Sequence, residues 1–159
     1  MSELPILIAG ATASGKSALA VALAEQLNGR IINADSMQVY DTLDVLTARP
    51  PRADLRRAPH VLYGHVPVAA PYSVGQWQAA ALAEIEAAQG AGQRPIIVGG
   101  TGLYFKSLTQ GLADIPDIPE AMRAGLRARL ESDGLATLYG ELQRVDSVLA
   151  ERLPPTDTP

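Results

Sequence analysis

Gly10-Ala11-Thr12-Ala13-Ser14-Gly15-Lys16-Ser17 is the stretch on which the reading of this chain turns. It satisfies G-x-x-x-x-G-K-[ST], the phosphate-binding loop pattern. Glycines let such a loop wrap around an anion with successive backbone N–H groups pointing inward. The helix that must follow adds partial positive charge at the same place. Lys16 brings a full charge to the phosphates, and the Ser17 hydroxyl suits Mg²⁺. A chance glycine-rich turn would lack the flanking context, and here the context is present. Leu4-Pro5-Ile6-Leu7-Ile8-Ala9 is a short apolar run that predicts a buried, central parallel strand. From Lys16 to Leu27 the spacing turns helical, with Leu19, Leu23 and Leu27 in register, and Asn28-Gly29 is a stop signal.

Working outward, Arg30 to Ala34 carries Ile31-Ile32 and predicts a second strand, which completes a strand–helix–strand unit. Residues Asp41 to Pro71 are rich in Pro and Arg and read as a surface excursion, with only Val61 to Val66 strand-like. A helix is expected from Ser73, which can cap it, to about Gln89. Trp77, Ala81, Ile85 and Ala88 mark its inner face, and Gly90 and Gly92 end it. Arg94 to Val98 is a third buried strand opening into Gly99-Gly100-Thr101-Gly102. Beyond an acidic, Pro-punctuated linker from Ala113 to Pro119, Met122, Leu126 and Leu130 set a helical face, and a shorter helix spans Leu135 to Gln143. The tail from Pro154 to Pro159 has no core-forming residue and is expected to be disordered.

Composition limits the function classes. Nearly half of the 159 residues are apolar, enough for a folded α/β domain. There is no cysteine, so a disulfide framework and a Cys-based metal site are excluded. No run has the apolar length of a membrane span and no basic region precedes an apolar run at the N-terminus, so a cytoplasmic location is expected. The net charge of −4 does not advertise nucleic-acid binding. Arginines nonetheless cluster at Arg49, Arg52, Arg56 and Arg57, and again at Arg123, Arg127 and Arg129. On charge alone these are solvated faces.

Two further stretches belong on the rim of the phosphate loop if the sheet is parallel. Asp35 directly follows the second strand. A carboxylate there can support Mg²⁺, accept a proton, or simply close an Asx turn. Gln38 offers both donor and acceptor, which suits reading a base edge. After the third strand, Thr101 offers a hydroxyl and a backbone N–H among glycines that permit close approach of a substrate. That strand ends in Gly99-Gly100 and not in the acid with which phosphate-loop hydrolases and kinases support their metal, which counts against an ordinary nucleotide hydrolase.

Taken together, GATASGKS (Gly10–Ser17), ADSMQVY (Ala34–Tyr40), TARP (Thr47–Pro50), PYS (Pro71–Ser73) and IVGGTGLYF (Ile97–Phe105) resemble the tRNA dimethylallyltransferases, or tRNA isopentenyltransferases, in order and spacing. ADSMQVY and GGTGLY are more specific than the phosphate loop. Ala11 stands where that family usually has Pro, Arg49 where it has Lys, and His60-Val61 where it commonly has a His pair. Family members are considerably longer, so the resemblance is to their N-terminal portion. It implies an α/β fold: a P-loop NTPase-like parallel sheet flanked by helices, with a partial helical insertion. The implied layout is a catalytic core over residues 1–112, a helical tRNA-binding segment over 113–153 and a tail over 154–159.

The implied activity is transfer of a dimethylallyl group from dimethylallyl diphosphate to the exocyclic amine of an adenine beside the tRNA anticodon. Residues Gly10 to Ser17 would hold the diphosphate, with Mg²⁺ at Ser17. Asp35 and Thr101 would be catalytic, Asp35 taking the amine proton and Thr101 meeting the reacting centre. Asp35, Ser36, Met37, Gln38, Thr101 and Arg123 would touch tRNA. A monomer is expected. A P-loop small-molecule kinase acting on Mg-ATP, and a diphosphate- or RNA-binding module without turnover, are the two alternatives.

Overall fold

The computed structural model describes residues 4–43, 45–113, 118–154 and 156. The chain divides into two compact units, Met1–Ala113 and Asp114–Pro159. The first is built on a four-stranded parallel sheet of β1 (Ile6–Ala9), β2 (Gly29–Asn33), β3 (His60–Val61) and β4 (Arg94–Gly99), in the spatial order β1-β4-β2-β3. Its helices are α1 (Lys16–Leu27), the short α2 (Arg52–Leu55), α3 (Val74–Gly90) and α4 (Gly102–Gln110). No helix among the described residues is long and apolar enough to cross a membrane.

The strand–helix–strand unit forms, its helix at the expected bounds and its strands within two residues of theirs, but β4 inserts between β1 and β2. β4 and β2 therefore supply the buried centre, with Ile31, Ile32, Ile96 and Ile97 almost without exposure. The expectation that the first strand is central is corrected: β1 lies at the sheet edge, and Leu7 is exposed on it. Nor is β1 buried as its apolar run suggests: Ile6 and Ile8 are half-buried and Leu7 and Ala9 exposed, because an edge strand lacks the neighbour that would help cover it.

Two core clusters sandwich the sheet. On one face α1 packs through Ala20, Val21 and Ala24 against Ile31, Ile96 and Val98. Leu19 and Leu27, which the helical spacing singles out, are exposed. Small residues win the inner face because helix and sheet approach closely: a Cβ on Gly29 would lie 2.8 Å from the Ala24 Cα. On the other face Trp77 and Ala81 of α3 and Tyr104 of α4 pack over Ile32 and Ile97. α3 starts in a capping box, in which the Gln76 N–H donates to the Ser73 hydroxyl at 3.2 Å and the Ser73 N–H donates to Gln76 Oε1 at 2.8 Å. The Trp77 and Tyr104 rings stack at 4.1 Å, and burial pushes the Tyr104 phenol up to about 12.

The surface excursion holds more order than its composition suggests. α2, β3 and a parallel bridge between Tyr40 and Val66 lie within or beside it, and Ala58 and Val66 are buried.

The second unit contains α5 (Glu120–Asp133), α6 (Leu135–Val145) and α7 (Ser147–Arg152). Arg129 bridges α5 to α6 through Glu141 at 2.6 Å, and the Tyr139 hydroxyl donates to the Ala150 carbonyl at 2.9 Å. The face set by Met122 and Leu126 is exposed and not buried. Linker residues Asp114 to Asp117, and Pro155 with residues 157–159 of the tail, lie outside the described residues.

Candidate active site

β1 delivers the chain into the phosphate loop at the C-terminal edge of the sheet. The Gly10 N–H donates to the Gly99 carbonyl at 3.3 Å, which ties the start of the loop to the end of β4. Gly15, at φ +85°, makes the turn into α1 in a conformation that side chains disfavour. Ala13 also has positive φ, at 63°. The Lys16 ammonium donates to the Ala11 carbonyl at 3.0 Å and so arches over the loop.

Asp35 stands on the same rim, immediately after β2. Asn33, buried at the end of β2, fixes it in both directions: the Asp35 N–H donates to Asn33 Oδ1 at 3.0 Å, and Asn33 Nδ2 donates to the Asp35 carbonyl at 3.0 Å. The Asp35 carboxylate accepts from the Met37 N–H at 2.9 Å, the Asx turn weighed above. The turn and a chemical role do not compete, because it occupies one oxygen and leaves the other. A Cβ built on Gly100 would lie 3.8 Å from Asp35 Oδ2 and 3.4 Å from the Gly10 carbonyl, so carboxylate and phosphate loop are neighbours across Gly100.

Thr101 joins this group through Ser36. Its hydroxyl accepts from the Ser36 N–H at 2.9 Å and donates to the Ser36 hydroxyl at 3.2 Å. Its own N–H donates to the Ala34 carbonyl at 3.1 Å, so that N–H is structural and not on offer to a substrate.

A small polar cleft of about 80 Å³ opens between these elements, lined by Lys16, Ser17, Asp35, Gln38 and Tyr63 among others. Gln38 is less free than its chemistry suggests. Its amide nitrogen donates to the Thr47 carbonyl at 2.7 Å and the Ala48 carbonyl at 3.3 Å, pinning that segment at the mouth of the cleft. Met37 is exposed beside it. Arg123 lies on α5, in the other compact unit.

Two residues of the site escape a reading of the sequence. Tyr63 lines the cleft; burial, and then the charge of Asp35, push its phenol well above the usual range, so it stays protonated and is a donor. No local pattern marks it. Asn33 was in principle visible as a lone polar residue closing an apolar strand run just before the acid, a position that calls for a partner when buried.

A parallel sheet that presents a phosphate-loop motif, a carboxylate and a threonine on one rim, with β4 ending in glycine, defines a P-loop NTPase-like fold. The family model described as IPP transferase matches residues 38–159, and one described as Isopentenyl transferase matches residues 5–68. The chain belongs to the IPP transferase family. A tRNA dimethylallyltransferase of Rhizobium etli is 59% identical over 151 residues, covering 95% of this chain and 51% of that protein. A crystal structure of a full-length tRNA isopentenylpyrophosphate transferase from Bacillus halodurans is similar at a TM-score of 0.69 with 33% identity, over 98% of this chain and 52% of that one. A eukaryotic dimethylallyltransferase described as acting on tRNA is similar at 0.80 with 32% identity, over 96% and 38%. The chain thus spans about half the length of the curated relatives it matches.

Proposed function

We propose that this chain is the diphosphate-gripping part of an enzyme that moves a dimethylallyl group from dimethylallyl diphosphate to the exocyclic amine of an adenine beside the anticodon of tRNA. The observation that carries the reading is the shared rim: Lys16, Ser17 and Asp35 line one cleft, and the Thr101 hydroxyl is hydrogen-bonded to the residue after Asp35.

The loop amides and Lys16 bind the diphosphate, and they favour the charge that grows on it as the allylic C–O bond breaks. The electron pair of that bond leaves with the diphosphate. The adenine nitrogen forms the new bond to carbon, and its proton passes to Asp35. The base must leave its stack to reach the cleft, at a cost of a few kcal/mol that is smaller in a loop than in a duplex. Thr101 keeps the Ser36 N–H, and with it the Asp35 turn, in line for that approach.

Mg²⁺ fits this residue set. Among the described residues no cluster of three or more His, Cys, Asp or Glu is placed to cage a cation. Ser17 and Asp35 instead offer one hydroxyl and one carboxylate at the cleft, and Mg²⁺ commonly completes such a set with substrate oxygens and water. When bound, the ion would neutralise charge on the diphosphate.

The test is a chimera that joins this chain to the remaining half of the Rhizobium etli relative. It should transfer a labelled dimethylallyl group to an anticodon stem-loop, and Asp35→Ala in it should lower the rate by about 10²–10⁴. An inactive but folded chimera, with the relative itself active, overturns the reading.

A further inference from the structure

Each strand of the parallel sheet hands the chain to the same rim. β1 delivers the phosphate loop, β2 delivers Asp35, and β4 delivers Gly100 and Thr101. β3 is the fourth strand, and what it delivers is Tyr63, in the bend that follows Val61. Tyr63 lines the cleft together with Thr12, Ala13, Lys16 and Ser17 of the loop and with Asp35. No step of the proposed transfer employs it.

The backbone is bent to put Tyr63 there. Leu62, before it, has φ +63°, and Gly64, after it, has φ +55°. A left-handed leucine is disfavoured and persists only where its surroundings fix it. Here they fix it from two sides. The Leu62 carbonyl accepts from Asn33 Nδ2 at 3.1 Å, and the Gly64 N–H donates to the Gln38 carbonyl at 2.9 Å. The ring is held as well. It packs against the core cluster between α1 and the sheet, and its centroid lies 5.7 Å from that of the His60 ring at a tilt of 58°. A ligand that meets this side chain therefore has little left to order.

What the fold leaves over is the hydroxyl. Among the described residues no group hydrogen-bonds to it, although a phenol in such surroundings ordinarily finds a partner. Burial, with the charge of Asp35 added, keeps its proton in place. It is a neutral donor without an acceptor, on the wall of a cleft that the loop fits for an anion. The cleft is small, about 80 Å³, so a diphosphate gripped by the loop comes within reach of the rest of its wall. A charged oxygen is the acceptor that such a donor bonds most strongly, and a neutral donor avoids burying a second cation.

We propose that the Tyr63 hydroxyl donates a hydrogen bond to the diphosphate of the bound donor, beside Lys16, and keeps that bond as the diphosphate leaves. The phenol retains its proton throughout and transfers nothing. The inference rests on the diphosphate reading of the cleft and adds to it a residue outside the loop pattern.

Calorimetric titration of this chain with pyrophosphate and Mg²⁺ tests it without turnover. Tyr63→Phe keeps the ring and its packing and removes only the donor. The affinity should fall about 10–100-fold. The melting temperature of the unliganded chain should not change, because the hydroxyl holds nothing in the fold. Added salt should weaken parent and variant alike, since the group removed carries no charge. A Phe variant that binds as tightly as the parent overturns the proposal and leaves the diphosphate reading standing. A Phe variant that melts several degrees lower, or that loses its salt dependence along with its affinity, also overturns it: the hydroxyl would then act by holding the fold or the loop. A parent chain that binds no pyrophosphate refutes the diphosphate reading itself, and this inference with it.

Discussion

Asn33 and Asp35 hold each other through two reciprocal hydrogen bonds, each of 3.0 Å, at the point where β2 meets the cleft. The same Asn33 amide also donates to the Leu62 carbonyl at 3.1 Å, and the Trp77 indole donates to the Asn33 carbonyl at 2.8 Å. One buried side chain therefore ties the acid on the rim to the segment that carries Tyr63, while its backbone ties β2 to α3.

Replacing Asn33 by Ala strips the Asp35 N–H of its acceptor and two carbonyls of a donor, without removing a residue that touches solvent. The expected cost is about 2–4 kcal/mol, because groups left unpartnered in a buried setting lose their full solvation. Urea unfolding of the chain reads this directly. A loss below about 0.5 kcal/mol would show that water replaces the side chain and that Asn33 does not organise the rim.

Gly99 and Gly125 should respond in opposite directions to the same substitution. A Cβ on Gly99 would collide with the Ala34 carbonyl oxygen, which is backbone immediately after β2 and cannot move aside cheaply. Gly99→Ala is expected to destabilise by more than about 3 kcal/mol, or to prevent folding of the first unit. Gly125 sits within α5 with nothing within 4 Å, and Gly125→Ala should stabilise that helix by about 1 kcal/mol. Thermal melting followed by helix signal distinguishes them; equal effects would refute the close approach at Gly99.

The rim is legible in the sequence because its signals are local. A glycine loop before a helix, an acid directly after a strand, and glycines around Thr101 each state their position within a few residues. What is hidden depends on pairing at long range. Nothing in Ile6–Ala9 tells that β4 enters between β1 and β2, so a central strand was the natural expectation and an edge the outcome. α1 misleads for a related reason: leucine spacing marks a helix correctly, but the closeness of Gly29 decides that Ala20 and Ala24 face inward. Gln38 carries the chemistry of a base reader, yet its donors are taken up by carbonyls nine and ten residues away. α4 and α7 pass unnoticed because each is short. Tyr63 reaches the cleft from the bend just after β3, a two-residue strand that no periodicity could announce.

His65 makes stability depend on pH in a defined direction. Partial burial holds its imidazole below the ordinary value of 6.5, although a backbone contact with Leu62 opposes the shift. The folded state therefore disfavours the charged ring, whose Nε2 pairs with the Tyr72 hydroxyl at 3.0 Å. Above 6.5 both states are neutral and His65 contributes nothing to the slope. As pH falls below 6.5 the unfolded chain takes up the proton first, and stability drops until the folded ring also titrates. His65→Gln should flatten the fall in melting temperature between about pH 7 and about pH 5.5. An unchanged slope would assign that fall to carboxylates instead.

Thr101 separates a hydroxyl that organises from one that merely fills space. Thr101→Val keeps the shape but leaves the Ser36 N–H without its 2.9 Å acceptor, whereas Thr101→Ser keeps the oxygen. In the chimera, Val is expected to lower kcat by about 10²-fold with little change in KM, and Ser to restore most of it. Equal loss in both variants would mean that the methyl group, and not the hydroxyl, is what the site requires.

Lys16 gives the most direct test of the anion cradle, because binding can be measured on this chain without turnover. Its ammonium rests on the Ala11 carbonyl at 3.0 Å, a contact within the loop that a phosphate oxygen can outcompete because it carries full charge. Lys16→Met preserves the length of the stem and removes only the charge. A charge-assisted hydrogen bond is worth about 1.5–3 kcal/mol, so the affinity for inorganic pyrophosphate with Mg²⁺ should fall about 10–100-fold by calorimetry. Added salt should weaken the parent more than the variant, since screening acts on the charge that the variant lacks. If Lys16→Met binds pyrophosphate as tightly as the parent, the loop amides alone hold the anion, and the lysine must be sought in another role.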